Sequence, residues 1–141
     1  MRQSGNEPIF MRIHHLGIAV KSLAEAVPVF EKLLGEAPVA EEAVPEQKVR
    51  VAVFDLECGR IELLEATAPD SPIARFVAER GPGIHHLTLA VPDLEAALAK
   101  YETAGFRLVD RSPRAGAGGK RIAFLHPRST AGVLIELVEE S

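Results

Sequence analysis

The sequence predicts an α+β fold made of two tandem copies of one module, and three observations predict it. The run Ile13-His14-His15-Leu16-Gly17-Ile18-Ala19-Val20 returns as Ile84-His85-His86-Leu87-Thr88-Leu89-Ala90-Val91, identical at six of eight positions and displaced by 71 residues. Ile61-Glu62-Leu63-Leu64-Glu65 returns as Ile135-Glu136-Leu137-Val138-Glu139. Leu23 and Leu94, each early in an amphipathic stretch, also stand 71 residues apart. The self-similarity therefore covers whole modules, and residues 1–141 read as one domain: a first module at 11–68, a linker helix at 69–83 and a second module at 84–141.

Each element follows from its local chemistry. Residues Met1–Pro8 read as a frayed leader, and the apolar patch Pro8-Ile9-Phe10-Met11 is too short for a signal segment or a membrane span. Arg12–Val20 is rich in β-branched and aliphatic residues and reads as a strand. Strict alternation puts His15, Gly17 and Ala19 on one face and His14, Leu16 and Ile18 on the other. Ser22-Leu23-Ala24-Glu25 is a capping-box pattern that starts a helix carrying Leu23, Val27, Phe30 and Leu34 on one stripe, and Gly35 stops it. Pro28 lies inside that helix, where a missing N–H and a ring clash predict a kink.

After the polar stretch from Pro38 to Glu46, which holds a further short strand at Val39–Ala43, Val49, Val51 and Val53 alternate with more polar neighbours and predict a strand. Cys58-Gly59-Arg60 turns the chain into the strand Ile61–Glu65. Asp70-Ser71-Pro72 starts the linker helix, with Ser71 as N-cap and Pro72 at the first helical position. In the second copy Asp93 caps a helix with Leu94, Ala97, Leu98 and Tyr101 on one face, stopped at Gly105. Phe106–Val109, Arg121–Leu125 and Val133–Val138 read as its remaining strands.

Composition narrows the function. With 47% apolar residues the chain can bury a core, and a net charge of −4 gives no broad basic footprint for nucleic acid. The single cysteine, Cys58, excludes an internal disulfide and fits a reducing cytoplasm. No Gly-x-Ser-x-Gly, Cys-x-x-Cys or Rossmann glycine signature occurs. The glycine-rich loop at Ala115–Lys120 fails the phosphate-loop pattern, because Lys120 precedes Arg121 and a strand.

The chemistry concentrates in the repeat. His15, Glu62, His86 and Glu136 fall at equivalent points of the two copies. Taken singly, each histidine reads as a half-buried strand residue and each glutamate as solvated. Taken together, two imidazoles and two carboxylates make a divalent metal site, since an unpaired carboxylate between Ile and Leu would be costly to bury. The alternation leaves His14 and His85 on the opposite faces, in packing or supporting roles. Lys120, Arg121 and Arg128, with Arg114, gather positive charge suited to a carboxylate or phosphate; an ordinary solvated face weighs about equally. His126, before Pro127, reads either as a loop contact to substrate or as a turn residue.

These residues resemble the methylmalonyl-CoA epimerase family of the vicinal oxygen chelate superfamily, which also holds glyoxalase I and the extradiol dioxygenases. The resemblance spans about Arg12 to Glu139 and rests on His14–Val20, Ile61–Glu65, Asp70-Ser71-Pro72-Ile73-Ala74, Gly83-Ile84-His85-His86, and Gly118–Pro127 running into Gly132–Leu137. It implies paired βαβββ modules whose eight strands form an incomplete barrel around a metal cleft. It also implies one divalent ion per chain (Co, Mn, Ni or Zn), held by His15, His86, Glu136 and Glu62. The implied activity is interconversion of (2R)- and (2S)-methylmalonyl-CoA through α-proton abstraction, a metal-stabilised enolate and reprotonation on the opposite face, by a cytoplasmic homodimer.

Glu136 is expected to serve one face and Glu62 the other. Some family members carry a further carboxylate where this chain has Val51, so Glu46 or a water held by Gln47 also stand for the second base. Gln47, Lys120, Arg121, His126 and Arg128 are the expected substrate contacts. The rivals are a glyoxalase-type isomerase, a ferrous dioxygenase and a metal-free small-molecule binder of the same fold.

Overall fold

A computed structural model describes residues 11–140; the leader at Met1–Pro8 and the residues Ile9 and Phe10 lie outside them. The elements run β1 (Arg12–Ala19), α1 (Leu23–Leu34), β2 (Ala40–Val44), β3 (Val49–Leu56), β4 (Gly59–Ala66), α2 (Pro72–Arg80), β5 (Gly83–Val91), α3 (Leu94–Thr103), β6 (Arg114–Ala115), β7 (Arg121–Leu125) and β8 (Ile135–Glu139). All eight strands join one sheet in the order β2-β3-β4-β1-β5-β8-β7-β6. That order is mirrored about its centre. Each module contributes four strands, β1 pairs with β4 and β5 with β8 in parallel, and the modules meet through antiparallel β1 and β5. The curled half-barrel expected for a glyoxalase-like fold follows from this arrangement.

Helices α1 and α3 cover the convex side. Val20, Leu23, Ala52, Phe54 and Leu63 form one buried cluster there, packed by Val27, Phe30 and Leu34 of α1. Leu94, Ala97 and Leu98 of α3 pack on Ala123, Leu125 and Leu137 in the equivalent cluster. The concave side is lined by Val49, Val51, Val53 and Leu64 in one module and Ala90, Ile122 and Val138 in the other. Helix α2 closes part of it through Ile73, Phe76 and Val77.

The helix boundaries follow the capping chemistry. Ser22 Oγ accepts from Glu25 N, Ser71 Oγ from Ile73 N and Asp93 Oδ1 from Ala96 N. The first helical N–H of each module is met from the sheet: Glu65 Oε1 accepts from Leu23 N at 2.6 Å, and Glu139 Oε2 accepts from Leu94 N at 3.0 Å. The second glutamate of each Ile-Glu-Leu-x-Glu run thus ties its strand to its module's helix. Helix α1 continues through Pro28 to Leu34, stopped by Gly35 in the left-handed region. Helix α3 ends at Thr103, capped by Ala104, one residue before Gly105.

The strand expected at Phe106–Val109 does not form. That stretch makes one bridge, Leu108 to Leu125, while Asp110 Oδ2 accepts from Phe124 N. Side-chain competition at Asp110 replaces a ladder there, and the outer strand is the two-residue β6.

The strict alternation expected for the paired histidines is also corrected. Along β1–β5, Ile13 pairs with Leu89 and His15 with Thr88, so His14 has no partner; Gly17 pairs with His86 and Ile18 with Ile84, so His85 has none. Each module therefore carries a β-bulge at its first histidine. A bulge resets the side-chain parity, and both histidines of each pair turn toward the concave side.

Candidate active site

His15 and Gly17 come from β1, Glu62 from β4, His86 and Thr88 from β5 and Glu136 from β8. These are the four central strands of the sheet. His15, Glu62, His86 and Glu136 are each no more than 7% exposed, and their polar atoms converge on one another. His15 Nε2 lies 3.1 Å from His86 Nε2 and 3.5 Å from Glu136 Oε1, and His86 Nε2 lies 3.3 Å from Glu136 Oε1. Neighbouring donors on one ion at metal–ligand distances of about 2.1 Å stand roughly 3 Å apart. Neutral imidazole and carboxylate are the donor types a first-row divalent ion takes, so this set fits such an ion.

Glu62 reaches the same imidazole from its other nitrogen, with Oε2 at 3.3 Å from His15 Nδ1. The four ligands expected together are thus divided across the His15 ring. His14 also faces this side: its Nδ1 is 2.8 Å from His15 Nδ1, and its Nε2 is 3.3 Å from Glu140 Oε2. His85 Nδ1 approaches His86 Nδ1 at 2.9 Å, with its ring edge-on to Phe76.

Sequence reasoning passed over Thr88 and Gly17, which occupy equivalent repeat positions. Thr88 is fully buried, donates its hydroxyl to Glu136 Oε1 at 2.5 Å and sits 3.0 Å from His15 Nε2. A Cβ on Gly17 would stand 2.2 Å from His86 Cε1, so a side chain there would displace the His86 ring. The one signal in the sequence was that the two copies differ at this point.

The two carboxylates have opposite electrostatics. Burial, reinforced by the charge of Glu136, pushes the Glu62 carboxyl up to about 7. Burial also opposes ionisation of Glu136, but hydrogen bonds from His86 and Thr88 help to outweigh it, and Glu136 titrates below its ordinary range. Burial pulls His15 down to about 3 and His85 to about 4, leaving both neutral near pH 7 with lone pairs available.

These shifts give a stability prediction. His15 and His85 are lowered, so their stabilisation is full above about pH 6.5 and is lost as pH falls toward 4 and 3. Glu62 is raised, so its stabilisation is full below about pH 4.5 and is lost as pH rises through 7. A cation held by His15, His86 and Glu136 competes with protons for those donors, so its binding strengthens as pH rises. Saturating Co²⁺ at a hundred times its Kd should stabilise the chain by about 2.7 kcal/mol, a rise in Tm of roughly 10 °C. Differential scanning fluorimetry should show the larger rise at pH 7.5 than at pH 6; the reverse order would contradict the linkage.

A cavity of about 110 Å³ opens on this cluster, walled by Glu42, Val51, Val53, Arg60, Lys120, Ile122 and Val138 as well as the histidines and glutamates. A second, of about 250 Å³, shares Gln47, Leu64 and His86 with it and adds Glu46, Lys48, His85 and Arg114. Gln47 and Lys120 therefore stand where substrate contacts are expected, Lys120 with Nζ 3.0 Å from Glu140 Oε2. Arg121 does not line either cavity: it pairs with Glu95 and Glu139 on the surface. His126 Nδ1 accepts from Arg128 N and caps the turn Pro127–Ser129, and neither His126 nor Arg128 lines either of these two cavities. Glu42 is the carboxylate that sequence reasoning missed: it lies on edge strand β2 directly opposite Val51.

Residues 14–124 match the model of the glyoxalase/bleomycin resistance protein/dioxygenase superfamily. An uncharacterized protein of Bacillus subtilis is 43% identical over 91% of this chain and 91% of its own length. The ethylmalonyl-CoA/methylmalonyl-CoA epimerase of Cereibacter sphaeroides is 38% identical over 89% of this chain and 96% of its own length. The structure of a Streptomyces coelicolor methylmalonyl-CoA epimerase variant in complex with 2-nitronate-propionyl-CoA superposes with a TM-score of 0.86 at 35% identity, covering 92% of this chain and 94% of that one.

Proposed function

The chain belongs to the methylmalonyl-CoA epimerase family of the glyoxalase/bleomycin resistance protein/dioxygenase superfamily, and from that premise we propose that it is a metal-dependent epimerase interconverting (2R)- and (2S)-methylmalonyl-CoA. The observation that carries the reading is a three-donor cluster, His15, His86 and Glu136, with a second buried carboxylate, Glu62, behind the shared imidazole.

The reaction removes the hydrogen on the carbon between a thioester and a carboxylate and returns a proton to the opposite face. A divalent ion held by His15, His86 and Glu136 would supply Lewis-acid stabilisation of the charge that develops on the thioester oxygen. The protein's own task is the proton. Two groups must stand in opposite protonation states, and two carboxylates whose surroundings push their pKa values apart provide them. Ionised Glu136 takes the α-proton. Glu62, raised to about 7, holds the proton that is returned. In the reverse direction the roles exchange.

Glu136 meets Thr88, His15 and His86 through Oε1, which leaves its second oxygen to the proton. Lys120 meets the free carboxylate of the acyl group, and Val51, Val53, Ile122 and Val138 surround its methyl group. The second cavity carries the extended CoA arm outward past Gln47 and Arg114. Two imidazoles and one carboxylate also match the triad of ferrous oxygenases; the second buried carboxylate and the epimerase relatives favour the epimerase.

The same reading takes 11–68 and 84–141 as the two modules of one domain joined through 69–83. It also assigns a cytoplasmic homodimer: exposed Ile13 and Ile84, on the two central strands, suit contact with a second copy, and Cys58 is unpaired. Among the described residues no helix is long and apolar enough to cross a membrane.

Polarimetry of a single epimer of methylmalonyl-CoA tests the reading. Chelator-stripped protein should convert it at least about a hundredfold more slowly than protein reloaded with Co²⁺ or Mn²⁺. Equal rates in the two samples would count against the metal dependence.

A further inference from the structure

The two modules build two transverse rows across the centre of the sheet. Gly17 pairs with Glu62 on one side and His86 on the other. Thr88 pairs with Glu136 on one side and His15 on the other. The rows are equivalent in the repeat, Glu62–Gly17–His86 against Glu136–Thr88–His15, and they differ only in the middle residue. Where the middle is glycine, the His86 ring lies against the backbone in the space a Cβ would fill. Where it is threonine, a fully buried hydroxyl donates to the carboxylate and stands 3.0 Å from the imidazole.

We propose that Thr88 is a positioning residue that breaks the pseudo-symmetry of the site: its hydroxyl donates to Glu136 and turns that carboxylate toward His15 and His86, a restraint that its glycine counterpart cannot give Glu62. The inference rests on the metal-centre reading given above. Its chemistry is simple. A glutamate side chain has three rotatable torsions, and a donor held rigidly on the neighbouring strand selects the rotamer that turns Oε1 toward His15 and His86. Thr88 is suited to this because its Cβ is branched and its rotamer is stiff in a strand. Gly17 has nothing to donate, so Glu62 lacks the equivalent restraint. Groups that orient metal ligands in this way typically matter by tenfold to a hundredfold in affinity.

The test compares wild type, Thr88→Val and Thr88→Ser as metal-free proteins. Each is titrated with Co²⁺ by isothermal calorimetry, and each loaded form is assayed for kcat and KM with methylmalonyl-CoA. Thr88→Val keeps the shape and the β-branching but loses the hydroxyl. It should bind Co²⁺ at least about tenfold more weakly and lose kcat about tenfold, with KM within a factor of about two. Thr88→Ser should restore both to within about threefold. Thr88→Ala, which relieves any crowding by the added methyl, replaces the valine variant in the comparison if that protein does not fold.

Undiminished Co²⁺ affinity in the folded hydroxyl-free variant, beside a wild type that binds normally, overturns the role of Thr88 and leaves the metal centre standing. No Co²⁺ binding by wild type overturns both. A loss in the valine variant that serine fails to restore also overturns the proposal, because packing and not the hydroxyl would then be responsible.

Discussion

Glu136→Gln should abolish turnover, lowering kcat by at least about a thousandfold, because one substitution removes both the anionic ligand and the base for one face. The amide retains the size of the side chain and can accept from Thr88. It cannot carry the negative charge that the two imidazoles converge on, and it cannot take a proton. Calorimetry should show Co²⁺ affinity reduced together with the rate. Retained α-proton exchange in deuterated solvent would remove Glu136 from the proton transfer, whatever happened to the metal.

Glu62→Gln should separate what Glu136→Gln merges. Epimerisation should fall by about a hundredfold to ten-thousandfold. Exchange of the α-proton from one epimer should continue, because Glu136 still serves its face, and Co²⁺ affinity should stay within about threefold, because Glu62 stands on the far nitrogen of His15. The metal-free variant should also escape the loss of stability that wild type undergoes as pH rises through about 7, since the group that must ionise in a buried position is gone. Exchange from both epimers at undiminished rates would transfer the second face to another group, and Glu42, inward-facing on β2 opposite Val51, is the carboxylate on the same cavity wall.

The parts of the fold that were legible in the sequence were those set by local chemistry and by the repeat. Ser22, Ser71 and Asp93 announced three helix starts, and the repeated His-His-Leu and Ile-Glu-Leu runs announced the four central strands. Convergence of His15, His86 and Glu136 followed from duplication alone. What was not legible depends on partners distant in sequence. The bulges at His14 and His85 exist only in the pairing of β1 with β5, so alternation assigned both residues to the wrong side. Phe106–Val109 has strand-forming residues, but Asp110 takes the amide that a ladder would need. Arg121 belongs to a basic cluster in the sequence, and yet Glu95 and Glu139 hold it at the surface. Thr88 looked like a substitution of no consequence inside a repeated motif, and its place between Glu136 and His15 emerges only from two strand registers at once.

The central claim is that this cleft moves the α-proton of a malonyl-type thioester between two faces. Proton NMR of methylmalonyl-CoA in deuterated water, with Co²⁺-loaded protein, tests it most directly. The account predicts that the α-proton signal disappears from either starting epimer as deuterium enters, while the methyl signal loses its coupling to that proton. An α-proton signal that persists at the rate of the protein-free control would contradict it.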